Sequence, residues 1–73
     1  MPLSMVKPGQ NVILKEITWG ENVKKRLEDM GLTQGVQFTL INGNPQGAQI
    51  IDLRGSRLIL GRGMSNKIMV DLC

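Results

Sequence analysis

Residues 26–35 read "RLEDMGLTQG" and place two glycines directly behind a run of helix-forming residues. Gly31 stands where helices commonly end in a left-handed residue, and Leu32 follows where a hydrophobic side chain contacts the last helical turn. Gly35 suits a second turn that needs a positive φ angle. The stretch therefore predicts that a helix ends here and that the chain reverses into a strand.

The residues before this turn have the periodicity of an amphipathic helix. Val23, Leu27 and Met30 recur at i, i+4 and i+7, so they share one face of a predicted helix over residues 21–30. The other faces carry mostly charged side chains. Burying one such aliphatic side chain contributes about 1.5–3 kcal/mol. We therefore expect this face to cover the core of the molecule.

Two signals compete for the start of this helix. Thr18, with Glu21 three residues later, fits a capping box, in which the threonine side chain accepts a hydrogen bond from the helical backbone. Gly20 is the alternative N-cap residue. The sequence leaves both interpretations open.

Strand-like sequence surrounds the helix. In residues 36–41, apolar side chains alternate with Gln37 and Thr39, which is typical of a half-buried strand. Turn-forming residues predict a loop at residues 42–47 and a tight hairpin at residues 54–56. The predicted strands are residues 11–17, 36–41, 48–53, 57–60 and 68–72.

Five short strands with hairpin-length links indicate a mainly β protein. We predict a small five-stranded antiparallel barrel with one α-helix between the first and second strands, whose closure removes exposed sheet edges. On the last strand Ile68, Val70 and Leu72 share the face that is predicted to point inward.

The composition argues against catalysis. The 73 residues predict a single domain over residues 1–73 with a thin core, and they include no histidine and only one cysteine, Cys73. The commonest general base and the usual pairs of metal ligands are therefore missing. We expect no catalytic residues, no cofactor and no metal site, and the single cysteine fits a reducing compartment.

Nothing in the sequence predicts export or membrane insertion. The N-terminus lacks the charged start and apolar stretch of a secretion signal, and no segment approaches the roughly 20 apolar residues of a membrane helix. We expect a soluble, cytoplasmic protein.

A small nucleic-acid- or ribosome-associated barrel is the main alternative to a protein-interaction module. Small barrels bind single strands with aromatic side chains in a basic groove. This chain offers only Trp19 and Phe38, and Phe38 is predicted to lie in the core. Arg54, Arg57 and Arg62 could form a basic patch, but a solvated hairpin tip is the simpler interpretation. With a formal net charge of only +3, the sequence argues against a nucleic-acid partner.

The order and spacing of several motifs resemble the FeoA family of ferrous iron transport proteins. The likeness runs over residues 3–72 and includes a basic helix with its terminating turn, a Pro-x-Gly loop, and a hairpin of the form Arg-Gly-x-Arg-Leu-x-Leu. The residues that carry it are Leu27, Gly31, Leu32, Thr33, Gly35, Pro45, Gly47, Arg54, Gly55, Arg57, Leu58 and Leu60.

This resemblance implies an SH3-like barrel and an accessory role in ferrous iron uptake. Members of the family act with the FeoB membrane transporter, whose cytoplasmic part carries a GTP-binding domain. The resemblance also implies family-level association with a transition metal, although missing histidines argue against direct iron carriage here. Self-association stays open.

The exposed side of the predicted helix is our candidate for the partner-binding surface. Lys24, Lys25 and Glu28 lie there, with Leu32 and Thr33 beside them in the turn. The alternative is that these side chains only keep the helix solvated.

Overall fold

The computed structural model describes residues 1–18, 20–43, 47–61 and 63–73. Expectations that concern Trp19, Pro45 and Arg62, and the middle of the predicted loop at residues 42–47, lie outside the described residues. The described part contains five strands, one α-helix and two short 3-10 turns at Leu3–Met5 and Met64–Asn66. The longer elements are β1 (Asn11–Ile17), α1 (Glu21–Asp29), β2 (Gln37–Gly43), β3 (Gln49–Leu53), β4 (Ser56–Leu60) and β5 (Ile68–Leu72).

The strands form one antiparallel sheet in the order β4-β3-β2-β1-β5. Leu60 of β4 and Val70 of β5, at opposite ends of this order, belong to the same buried cluster. The sheet therefore curls around a single core, as the predicted barrel requires. The predicted closure is wrong in one respect, because β4 and β5 are not paired with each other in the described part of the chain.

A β-bulge in β1 changes which of its residues face the core. Pairing with β5 is regular as far as Leu14 and resumes at Glu16, so Lys15 is an extra residue. Lys15 and Glu16 are both exposed, while Ile17 is buried. The bulge thus re-aims the strand and keeps both charged side chains in solvent.

A second bulge extends β2 beyond its predicted end. Pairing with β3 shifts between Leu40 and Asn42, which leaves Ile41 as the extra residue. Asn42 and Gly43 then continue the pairing, so the prediction that the strand ends at residue 41 is wrong. An asparagine–glycine pair is a turn signal, but the bulge lets both residues remain in the ladder.

The start of α1 resolves the competition between the two predicted caps. Gly20 is the N-cap residue, and no side-chain hydrogen bond from the described residues caps the helix. Thr18 extends the pairing towards β5 instead, since its backbone N–H and its hydroxyl both donate to the carbonyl oxygen of Lys67, at 2.7 and 3.1 Å. The predicted capping box is therefore wrong.

The end of α1 confirms the predicted turn. Gly31 has a φ angle of +102°. Its N–H donates to the carbonyl oxygen of Glu28, and the N–H of Leu32 donates to that of Leu27, both at 2.9 Å. These two bonds form a Schellman motif.

Two of the three predicted apolar helix positions contact the core. Leu27 is buried, and the half-buried Val23 packs against the same cluster. Met30 is 47% exposed, so its predicted burial is wrong. Met30 is the C-cap residue, and the turn that follows carries Leu32 into the core instead.

The hairpin between β3 and β4 is tighter than predicted. Leu53 pairs with Ser56, so only Arg54 and Gly55 form the loop. Both have positive φ angles, +53° and +84°, which is the geometry of a type I′ turn. The side chain of Asp52 accepts a hydrogen bond from the N–H of Gly55 at 2.9 Å.

The last strand confirms most of its predicted pattern. Ile68 and Val70 are buried in the core, whereas Leu72 is exposed. Leu72 is the last residue of β5, at the end of the ladder, so its predicted inward position is wrong.

Candidate docking site

A groove runs between α1 and β1 and has an apolar floor. Leu14 and Ile17 of β1 form the floor together with Leu32 of the helix-terminating turn. All three are buried members of the core. The groove encloses about 200 Å³. We call it the helix–strand groove.

Four charged side chains form the rim of the helix–strand groove. Lys15 and Glu16 come from the bulge of β1, and Lys24 and Glu28 come from successive turns of α1. All four are exposed. Each wall therefore presents one positive and one negative charge above an apolar floor.

The size of the groove restricts what it can hold. Pockets for drug-sized ligands and cofactors usually measure about 300–1,000 Å³, so a groove of about 200 Å³ is too small for most of them. It suits one or two side chains of another protein, with an apolar group on the floor and polar groups at the rim.

The structure brings together some of the predicted partner-binding residues. Lys24 and Glu28 line the helix–strand groove, whereas the exposed Lys25 and Thr33 are not among its lining residues. Leu32 needs correction, because its exposed fraction is 0% and its side chain offers no surface for direct contact. It supports the floor from below.

A broader concavity lies on the outer face of the sheet. It encloses about 670 Å³, and Asn11, Thr39, Asp52, Arg54 and Cys73 are among the residues that line it. The Thr39 hydroxyl donates to the side-chain oxygen of Asn11. It is wider and more open to solvent than the helix–strand groove, so it is the weaker candidate for a docking site.

The described residues offer no ready metal site. No group of three or more His, Cys, Asp or Glu side chains in the described ranges could hold an ion. Cys73 is a free, exposed thiol.

The described part of the chain also lacks an aromatic platform for nucleic acid. Phe38 lies in the core, as predicted, and Trp19 lies outside the described residues. Arg54 and Arg57 are exposed on and beside the hairpin turn, while Arg62 is not described.

The family model for the FeoA domain matches residues 1–72. The chain belongs to the FeoA family. A relative from Methanocaldococcus jannaschii, named "Putative Fe(2+) transport protein A", is 40% identical over 70 residues, which are 96% of this chain and 84% of the relative.

Solved FeoA structures share the fold. A crystal structure described as an iron uptake regulatory protein, FeoA, is 34% identical with a TM-score of 0.89, covering 100% of this chain and 97% of that one. The solution structure of FeoA from Chlorobium tepidum is 25% identical with a TM-score of 0.86, covering 99% of this chain and 70% of that one. The predicted SH3-like barrel with one helix between its first two strands is therefore confirmed.

The β1 wall of the groove in this FeoA protein is not predicted from the sequence. The sequence predicts Lys15 and Glu16 only as part of a strand. Two consecutive charged residues between Leu14 and Ile17 break the alternation of a half-buried strand, and that break is the available signal for a bulge.

Within the described ranges, this FeoA protein has no helix that is both long and apolar enough to cross a membrane. The α-helix of the described residues, Glu21–Asp29, carries charged residues over most of its surface.

Proposed function

We propose that this protein is a small cytoplasmic accessory protein of ferrous iron uptake that docks on the cytoplasmic GTP-binding part of a FeoB transporter. Membership of the FeoA family and the name of the Methanocaldococcus jannaschii relative support the role in iron uptake. The observation that supports docking is the helix–strand groove, a small depression with a charged rim above buried aliphatic side chains and with too little volume for most drug-sized ligands. In this role the protein regulates transport and catalyses no reaction.

Docking through this groove uses two kinds of contact. An apolar side chain of the transporter enters over Leu14 and Ile17, the floor residues that keep a slight exposure, and the packed core beneath them needs no rearrangement. Charged groups beside that side chain meet Lys24 on one wall and Glu16 on the other. Rim charges determine partner choice and association rate, and reversing one of them sets like charges against each other, which also lowers the affinity.

Regulation follows from a difference in affinity. If the groove binds one nucleotide state of the GTP-binding domain more tightly than the other, it shifts the population towards that state by the same factor. No chemistry by this chain is needed. Binding that is equally tight to both states would produce no regulation.

Charge reversal on each wall tests this proposal. Lys15→Glu and Lys24→Glu should each weaken binding to the purified cytoplasmic domain of the FeoB transporter by about tenfold. Lys25→Glu tests the outer helix face. Lys7→Glu is the control, because Lys7 is equally exposed but does not line the groove.

Isothermal titration calorimetry against the GDP-bound domain and against the domain with a GTP analogue measures both affinity and state preference. Full binding by both groove variants would reject the groove as the docking face. If the unmodified protein binds neither nucleotide state, the transporter proposal itself is wrong.

A further inference from the structure

The two end strands of the sheet differ in the pairing of their outer sides. The outer side of β5 is paired with the N-terminal residues, since Met1 and Val70 exchange hydrogen bonds of 2.8 and 2.7 Å and Pro2 lies opposite Met69. β4 is paired with β3 on one side, and no strand of the described residues pairs with its other side. β4 is therefore the open edge of the sheet.

The hairpin geometry determines which backbone groups face this open edge. Leu53 and Ser56 flank a two-residue turn, so they exchange hydrogen bonds with each other. Because hydrogen-bonded and non-hydrogen-bonded positions alternate along an antiparallel pair, Arg57 and Ile59 point their N–H and C=O groups away from β3. These groups can pair with an added strand.

The side chains of the same two residues share the outer face of the sheet. Ile59 is 72% exposed, more than any other large hydrophobic residue of the described chain, and it lies opposite the half-buried Ile50. Arg57 is exposed and lies opposite Asp52. An apolar side chain and a positively charged side chain thus lie two residues apart on an unpaired edge.

We propose that β4 accepts an extended segment of another protein as a sixth strand of the sheet. In this mode of recognition the backbone provides hydrogen bonds, and alternate side chains provide specificity. The segment carries an aliphatic residue against Ile59 and, two positions away, an acidic residue beside Arg57. This inference does not depend on the transporter proposal, because β4 contributes nothing to the helix–strand groove.

Charge complementarity favours an acidic partner over a second copy of this chain. Arg54 and Arg57 are both exposed along the hairpin, and the chain carries a net charge of +3. β4 contains no acidic residue, so a second β4 would leave Arg57 without an opposite charge across the interface. A carboxylate on the added strand would place Arg57 between that group and Asp52.

A pair of synthetic peptides tests the proposal with the full chain. The first is a capped seven-residue peptide, Thr-Val-Thr-Ile-Thr-Glu-Thr, and the second has Lys in place of Glu. In titrations followed by ¹H–¹⁵N correlation spectra, the Glu peptide should shift the amides of Arg57 and Ile59 saturably and slow their hydrogen exchange. The Lys peptide should bind at least about tenfold more weakly.

Two variants separate backbone pairing from charge. Ile59→Pro removes an outward-facing N–H, which an edge strand tolerates, and it should abolish binding of the Glu peptide. Arg57→Glu should reverse the preference, so that the Lys peptide binds more tightly. This second variant keeps the test valid if the proline variant fails to fold.

Three results would overturn the inference. The first is the absence of a saturable shift at Arg57 and Ile59 at millimolar peptide. The second is equal affinity for the two peptides in the folded protein. The third is a change of the β4 amide signals on simple dilution, because it would show that a second copy occupies this edge.

Discussion

A Cβ atom on Gly31 would lie 3.0 Å from the Cδ2 atom of Leu53. The helix-terminating turn therefore packs closely against the end of β3, and a larger residue at position 31 would require the Leu53 side chain to shift. Gly31 also has a φ angle of +102°, in a region that L-residues rarely adopt. The φ angle and the close approach of Leu53 both favour glycine at this position.

Replacing Gly31 should therefore lower the free energy of unfolding more than replacing another glycine with a similar φ angle. Gly35 has a φ angle of +88°, but a Cβ atom added to it would meet no atom within 4 Å, so Gly35→Ala carries only the backbone cost, about 1–2 kcal/mol. Gly31→Ala should lower the free energy of unfolding by that amount and by a further amount, because the added methyl group displaces the Leu53 side chain. Urea denaturation measures both free energies of unfolding. Equal losses would show that Leu53 moves aside without cost.

The helix end could be predicted because its determinants are local. A Schellman motif needs a glycine after the last turn and a hydrophobic residue behind it, and Gly31 and Leu32 satisfy both. The helix start could not, since Thr18 is drawn into pairing with Lys67, a residue 49 positions away. The local sequence indicates a cap at Thr18, but a distant contact that the sequence does not reveal places this residue elsewhere.

In the candidate site, too, local features could be predicted from the sequence and features that depend on distant contacts could not. Lys24 and Glu28 could be placed on an exposed helix face from periodicity alone. Lys15 and Glu16 join them because the bulge turns both outward, and the position of a bulge depends on the register with β5. Leu32 is wrongly predicted as a partner contact because the turn signal is local, whereas the burial of Leu32 depends on the core beneath the turn.

The apolar face of α1 makes an uneven contribution to stability. Leu27 is buried, so Leu27→Ala should lower the free energy of unfolding by about 2–5 kcal/mol through lost burial and a residual cavity. Met30→Ala should change it by less than about 0.5 kcal/mol, because Met30 is exposed beyond the helix. Denaturation of the two variants in parallel measures the contrast. A large loss at Met30 would mean that the helix continues further than Asp29 in solution.

Gln49 is a polar residue at a core position of β3. It is 2% exposed, and its Oε1 atom has no hydrogen-bond partner in the described part of the structure. Burying an unsatisfied acceptor costs about 1–3 kcal/mol. Gln49→Met keeps the length of the side chain and replaces the whole amide, the unsatisfied Oε1 included, so the free energy of unfolding should rise by about 1 kcal/mol.

The control for this variant is Gln37→Met, an exposed position on β2 where the change should stay within about 0.5 kcal/mol. Thermal and urea denaturation should rank the stabilities of the unmodified protein and the two variants in the same order. A loss of stability in Gln49→Met would show that the amide makes hydrogen bonds that favour the folded state.

Arg54 occupies the first position of the type I′ turn with a φ angle of +53°, although arginine has no preference for that region. Asparagine adopts it at lower cost, and asparagine followed by glycine is the preferred sequence for this turn. Arg54→Asn should therefore raise the free energy of unfolding by about 0.5–1 kcal/mol.

The control is Arg57→Asn on β4, which removes the same charge but places asparagine in a strand. There it should lower the free energy of unfolding by up to about 1 kcal/mol. Opposite signs in urea denaturation would assign the effect to the backbone of the turn, whereas a gain in both variants would assign it to reduced positive charge at the hairpin.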